Sequence, residues 1–512
     1  MRRTALALLL STAPIAAQAL TADELLAVQN EMVARMGLTP AGRIDRSEGA
    51  LRMVDAGARA ALPFDWGEIA WAFGPIPLTE EGGDVLQHWD DGITVTFEYR
   101  PRPGGVKPGM KDPRYSATFT LSGSDVTSRA SGTLDAVEIT TTAAQLDMAL
   151  TGLSGFEPAA TLTGNTLAIT LQDWANTLTL TGFTPANTAT ARMESRDSAA
   201  LIATRYNFGD GEFLENGASA QEGVSNSMVL DLPAAGSTTG LGAALRAGLA
   251  FRLDTASQSG QSDGTTRDSI GTSRYRQTTG ETTSHLGVDA VAGLVVGAKL
   301  ADLAMTVEDA QMGPEALAVT LEGAMFDLAA PFMANGAREK SHLSFDIVNL
   351  RGLTDSLWFA DLPEAFAAEP FTFAITLGAD YEPLVDLTDI GGFFDMIEIP
   401  DILRIYDFGI DALDTGYAEA RLTGAGRLSF GLYGAILNDD IPNPKGQATF
   451  TLSGAYALLN RLGQAGAVPP EFLTMARGAV AAFGQAKGPD AVESTIGLGP
   501  NGFTVNGAPA PF

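Results

Sequence analysis

The chain has 512 residues, 61 Asp+Glu against 32 Lys+Arg, a formal net charge of −29, three His and no Cys. Without Cys there is no disulfide, zinc-thiolate site, iron–sulfur cluster, thiol nucleophile or lipidated cysteine. So acidic a chain is a poor partner for nucleic-acid phosphates, while 45% hydrophobic residues suffice to build a core.

The N-terminus reads as an export signal. Arg2 and Arg3 precede an apolar run from Ala5 to Leu10, and Ala17-Gln18-Ala19 is a small-x-small cleavage site. The mature chain is expected to begin at Leu20 and to reside in a Gram-negative periplasm. The run is shorter than the roughly 20 residues that span a bilayer, and no later window supplies a transmembrane helix.

Thr21 and Glu24 form a capping-box pattern. Leu25, Val28, Met32 and Met36 follow as one apolar stripe ending at Gly37, so a helix packed on a core is expected. Residues 43–110 alternate short strand-like runs with Gly and Pro turns, and Ile93 to Tyr99 has a clean period of two. Thr118-Phe119-Thr120-Leu121-Ser122-Gly123 recurs identically as Thr449 to Gly454, with looser copies ending at Gly152, Gly164, Gly182, Gly323, Gly378 and Gly424. Each reads as a strand closed by a residue that tolerates positive φ. Their irregular spacing favours one β-meander over a fixed-period solenoid.

Residues 254–284 are polar and are expected to form a long hairpin or a loop. Short helices are expected at Ala243–Gly248 and Ser356–Ala368, and a helix pair at Ala455–Leu462 and Pro470–Phe483. Ser494–Leu498 and Phe503–Val505 flank Gly499-Pro500-Asn501-Gly502, which suits a type I turn. That hairpin is expected to cover the helix pair, matching Ile496, Leu498, Phe503 and Val505 to Leu458, Leu459, Leu462, Phe472, Val480 and Phe483. The fold class is mainly β with α insertions (α+β): long antiparallel, curled sheets, short interrupting helices and a C-terminal helix pair plus β-hairpin. The organisation is a signal at 1–19, an N-terminal helix and β-rich half at 20–235, and a second β-rich half at 236–512, with the seam near Pro233-Ala234-Ala235-Gly236.

The chain has no Gly-x-Ser-x-Gly elbow, His-Glu-x-x-His motif or Walker loop. Gly240-Leu241-Gly242 lacks the rest of a dinucleotide loop. His88, beside Trp89, Asp90 and Asp91, and His285 and His342 lie far apart in sequence. Asp254, Asp263 and Asp268 lack the order of a calcium loop, and Asp439-Asp440 reads as a solvated turn. No catalytic, cofactor-binding or metal-ligating residue is nominated, no cofactor is expected, and the chain is not expected to be an enzyme.

The leader, the Thr/Gly-rich alternating strands, the short helices and the closing Gly499-Pro500-Asn501-Gly502-Phe503-Thr504-Val505-Asn506-Gly507 together resemble a known family. It is the alphaproteobacterial periplasmic proteins of domain of unknown function 2125. There is a more distant similarity to AsmA-like β-rich envelope proteins. The first resemblance implies a periplasmic, mostly β protein. The second implies lipid transfer or envelope maintenance along an apolar β-groove. The function expected is binding of hydrophobic or envelope partners, a lipid or an outer-membrane component. An outer-membrane β-barrel and an exported hydrolase with a dispersed site are the alternatives. Pro509, Pro511 and the helix pair argue against the barrel.

Overall fold

The computed structural model describes residues 19–61, 67–89, 92–101, 114–154, 165–209, 213–234, 241–309, 317–352, 366, 369–386, 388, 403–430, 444–499 and 502–509. Of these, 69% lie in strands and 12% in helices, so the chain is mainly β with a few short helices. Two compact units divide it: 1–211 with 225–238, and 212–224 with 239–512.

Unit 1 opens with α1 (Ala22–Arg35). Thr21 Oγ1 accepts from the Glu24 N–H, and Glu24 reaches back to the Thr21 N–H, so the expected capping box is formed. The strands are β1 (Thr39–Asp45), β2 (Leu51–Ala61), β3 (Gly67–Phe73), β4 (Ile76–Glu81), β5 (Asp84–Gln87) and β6 (Ile93–Pro101). They continue as β7 (Tyr115–Ser124), β8 (Thr127–Thr133), β9 (Ala136–Ser154), β10 (Thr166–Thr181) and β11 (Ala191–Gly209). β12 (Leu214–Leu232) has residues in both units.

The pairings describe an antiparallel meander. β2 pairs with both β3 and β4, β3 with β6 and β4 with β5, β6 with β7 and β5 with β8, and β7 and β8 both with β9. So β3–β4, β5–β6 and β7–β8 are each one long strand with a break in the middle. β10 and β11 follow β9 in order.

The breaks line up as a crease. Asp55, Gly92, Asp125 and Asp173 all have positive φ, and each sits where its strand changes the face it presents. On β9 the buried residues are Val137, Ile139, Thr141 and Ala143, then Leu146. On β10 the same face carries Leu167, Ile169 and Leu171 before Asp173, and Trp174, Leu178 and Leu180 after it. A left-handed residue turns two consecutive side chains to one side, so the parity of the alternation shifts by one and the apolar face stays continuous. We call that continuous face the inner face. The crease divides it into two blades.

On the β4–β5–β8 blade, α1 is fastened at both ends. The Ala22 N–H donates to Glu80 Oε1 at 2.8 Å, and the Leu20 N–H to the Gly83 carbonyl at 3.0 Å. At the far end Arg35, whose side chain is fully buried, donates to the carbonyls of Ala189 and Asn187 and to Glu31 Oε1. A helix of 14 residues is ~21 Å long. The four strand spacings from the β4–β5 turn to the β10–β11 loop come to ~19 Å. The helix therefore runs across the strands. Its Ala22, Leu25, Leu26 and Val28 are buried, as are Val85, Ala130, Val137, Ile139, Leu180 and Met193 on that blade.

Unit 2 adds α2 (Leu241–Arg246), β13 (Ala250–Ser257), β14 (Ser259–Arg267), β15 (Thr272–Thr279), β16 (Thr282–Asp289), β17 (Gly293–Asp309), β18 (Leu317–Ala330) and β19 (Glu339–Leu350). Next come β20 (Phe371–Pro383), β21 (Leu403–Tyr417), β22 (Ala420–Ser429) and β23 (Lys445–Ser453). The chain closes with α3 (Ala455–Gln464), α4 (Pro470–Phe483), β24 (Gln485–Gly488), β25 (Ala491–Gly499), β26 (Gly502–Val505) and β27 (Ala508–Pro509). The meander repeats. β14–β15 and β13–β16 are two parts of one long hairpin, so the polar stretch at 254–284 is a hairpin. β15 and β16 pair with β17, and each strand from β17 to β23 pairs with the next. β23 pairs with β25, and β25 with both β24 and β26. A second crease passes through Gly223, Asp302 and Asn349, again at positive φ.

Two expectations need correction. Of the glycines that end the repeated string, Gly182 and Gly454 have positive φ, whereas Gly123, Gly152, Gly323, Gly378 and Gly424 do not. They lie within extended strands and leave room for neighbours. A Cβ on Gly424 would come 2.3 Å from the Phe450 ring. Gly164 lies outside the described residues. The C-terminal hairpin and helix pair are joined by polar contacts rather than by mutual apolar cover. Asp490, in the β24–β25 turn, accepts from the Tyr456 and Ala457 N–H groups at 2.9 Å and caps α3, and Asn506 Nδ2 donates to the Phe483 carbonyl. Phe472 and Phe503 are each 56% exposed. Pro500-Asn501 and, apart from Phe366, the helix expected at Ser356–Ala368 lie outside the described residues.

Candidate functional site

Directly paired residues on antiparallel strands project to one face, so the register identifies the inner face of unit 2 row by row. One row reads Leu253, Leu286, Val296, Leu328, Leu343, Leu377 and Ile410, from β13 to β21. The next reads Thr255, Ser284, Ala298, Phe326, Phe345, Ile375 and Leu413 across the same strands. A third reads Ser257, Thr282, Leu300, Ala324, Ile347, Phe373 and Thr415. Few of these side chains are buried. Phe345 is 38% exposed, and Phe408, further along the same face, 43%. Burial in unit 2 gathers at the strand ends instead, at Leu245, Met333, Tyr381 and Pro383 near one end and at Phe366 near the other.

A cleft of about 370 Å³ opens over this face, at the low end of the range usual for small-molecule pockets. Ala298, Leu300, Ala324, Phe326 and Phe345 form its apolar floor and Thr255, Thr282 and Ser284 its polar side, while Thr283, Lys299 and Met325, which alternate with them, also border it. The hydroxyls are paired across β13 and β16: Thr255 with Ser284 at 2.7 Å and Ser257 with Thr282 at 2.6 Å. The cleft is thus amphipathic, with a change from hydroxyl to hydrocarbon between β16 and β17.

The opposite face is charged. Arg427 donates to Asp407 and Asp411, and Arg421 to Asp414. Hydrogen bonds from Arg421 hold the Asp414 carboxyl below its ordinary value. Two of the three histidines also meet on this face. His285 is in register with Gly297, and Gly297 with Asp327. Any Cβ at 297 would lie 2.1 Å from the His285 ring, so glycine lets the imidazole lie across β17. His285 Nε2 is 3.5 Å from Asp327 Oδ2, and His342 Nε2 contacts the other oxygen of the same carboxylate. Ser344, beside Asp327 in register, bonds Thr376 at 3.1 Å. No nucleophile–base hydrogen bond is recorded in the cluster.

His88 lies elsewhere, in unit 1, bonded to Thr79 Oγ1 at 2.8 Å. The acidic residues of the polar hairpin do not converge. Asp254 pairs with Arg252, Asp263 is in register with Arg276, and Asp268 accepts from the N–H groups of Ile270 and Gly271 in a turn. Among the described residues no group of three or more His, Asp or Glu is arranged to hold a metal ion. Also among them, no helix is long and apolar enough to cross a membrane. Asp90, Asp91, Asp439 and Asp440 lie outside the described residues.

Sequence reasoning expected an apolar groove but placed neither its lining residues nor the meeting of His285 and His342 at Asp327, because both depend on register between strands distant in the chain. The available signal was the alternation at Val296 to Leu300 and Leu343 to Ile347. No family model, curated protein or solved structure matches this chain.

Proposed function

We propose that this protein is a non-enzymatic binder of amphiphiles that holds an acyl chain against the inner face of unit 2. The observation that supports it is the set of cross-strand rows just described, apolar over many strands and incompletely covered. Soluble proteins seldom expose apolar area of that continuity unless something binds there. Each methylene removed from water contributes ~0.8 kcal/mol. A chain of about ten methylenes would therefore supply ~8 kcal/mol, enough to offset much of the roughly 4–15 kcal/mol cost of association. The reading of an exported, periplasmic protein and the resemblance to the domain of unknown function 2125 and AsmA-like proteins favour the same role, with a lipid or outer-membrane component as the physiological partner.

The test is saturable binding of a fluorescent acyl-chain probe to the purified protein, with lipid extraction and native mass spectrometry of the material as isolated. Phe326→Asp and Leu328→Asp are each expected to weaken the probe at least tenfold. Joint replacement of His88, His285 and His342 by Gln should leave its affinity unchanged. Absence of both co-purified lipid and saturable probe binding would remove the proposal.

A further inference from the structure

The cleft in unit 2 has a polar side whose chemistry is specific. We propose that the paired hydroxyls of β13 and β16 form a head-group subsite that selects amphiphiles with a neutral head, bearing hydroxyls or amides, over those with an anionic head. This rests on the acyl-chain reading above and adds the class of ligand.

Each hydroxyl pair spends one O–H on its internal hydrogen bond. Thr255 with Ser284, and Ser257 with Thr282, therefore each keep one free O–H donor and several acceptor lone pairs. The pairs stand two residues apart on their strands, roughly 7 Å, a span for a head group with more than one polar function. A neutral polyol or amide both gives and takes hydrogen bonds and can use this set fully. A carboxylate or phosphate only accepts, and needs a cation to replace its lost hydration. Among the described residues, no cation projects from the inner face at the cleft. Lys299 borders the cleft, but it alternates with Ala298 and Leu300, so its side chain leaves from the other face. Arg252 likewise alternates with Leu253 and is bound to Asp254 at 2.7 Å. The net charge of −29 adds repulsion. From the hydroxyls the floor runs over Ala298 and Leu300, Phe326, and Phe345 on successive strands, three spacings or ~14 Å of apolar path for the chain.

The experiment compares two probes with one chain, monomyristoylglycerol and myristate, by titration calorimetry at pH 8. It uses the full chain, the triple variant Thr255→Val, Thr282→Val and Ser284→Ala, and the variant Phe326→Ser. The wild type should bind the glyceride about tenfold tighter than myristate. The hydroxyl variant should bind the glyceride about tenfold more weakly and myristate within twofold of wild type. Phe326→Ser should weaken both. Valine suits a strand and circular dichroism monitors the fold, so unfolding will not mimic the effect. Equal wild-type affinities, or a glyceride preference that survives in the hydroxyl variant, would overturn the subsite and leave acyl-chain binding standing. Failure of both probes to saturate the wild type would overturn the acyl-chain reading itself, and the subsite with it.

Discussion

Unit 1 and unit 2 use the same strand vocabulary and end differently. Both are creased antiparallel meanders with an apolar inner face. In unit 1 one blade carries α1, and Leu25 and Val28 reach 0% and 1% exposure. In unit 2 the rows from Leu253 to Ile410 have no such helix among the described residues, and Phe345 and Phe408 stay open. The repeated string shows the same divergence. Phe119 and Leu121 lie within β7, whose strand runs on through Gly123, whereas Gly454 turns at a φ of 71° to start α3. An apolar alternation thus specifies a sheet face. Whether that face becomes core or stays open depends on what is laid across it.

The comparison breaks most visibly if α1 is not core. Leu25→Ala should cost about 2–5 kcal/mol in denaturant unfolding, the usual range for a fully buried leucine. A cost below 1 kcal/mol would mean that unit 1 is no better filled than unit 2. The crease comes next. Asp173→Val and Asp302→Val place a β-branched residue at positive φ and should each cost about 1–2 kcal/mol. Asp→Gly at the same sites should be near neutral, and equal losses from Val and Gly would show that the carboxylates, not the backbone, matter.

Tyr381 tests the buried end of unit 2. Burial, and then the nearby Glu339, push its phenol up to about 12. The unfolded phenol ionises near 10, so the folded state holds its proton more tightly. This contribution is complete below pH 10 and is lost as pH rises from about 10 to about 12. Tyr381→Phe should flatten that alkaline decline. Near neutrality it should cost ~1 kcal/mol for the hydrogen bond given up to the Pro331 carbonyl. An unchanged alkaline profile would place the titration elsewhere. The smallest effect belongs to the open face. Phe408→Ser should change stability by less than ~0.5 kcal/mol. A loss of 2 kcal/mol or more would show that this face is core after all.

Much of the fold was legible where local chemistry decides it. Thr21 and Glu24 marked the start of α1, Ile93 to Tyr99 gave a strand, and the prolines at 469 and 470 opened α4. The crease was not recognised, although β10 carries its trace. Leu167, Ile169 and Leu171 keep odd positions and Trp174, Leu178 and Leu180 even ones, a change of parity that reads as a spoiled strand until Asp173 is known to be left-handed. The glycines were misjudged because a missing side chain serves turns and crowded strands alike, and only the neighbour, such as Phe450 beside Gly424, tells which. The cover expected between the C-terminal helices and hairpin failed because apolar residues close in sequence need not face one another. The floor of the cleft was out of reach, since setting Ala298 beside Phe326 and Phe326 beside Phe345 requires knowing the register of three strands.

The meander also dictates an order of events. Within each unit the pairings are nested hairpins, so an inner pair such as β14–β15 can form before the outer pair β13–β16 that it brings together. Each outer pairing then closes only a small further loop, although its partners are distant in the chain. A strand can dock as soon as its predecessor has, and the sheet can grow from either end like a zipper. The cost is transient. Every partly grown sheet ends in an unpaired edge with its N–H and C=O groups free, a template for a second chain. Refolding yield should therefore fall with protein concentration well before refolding rate does.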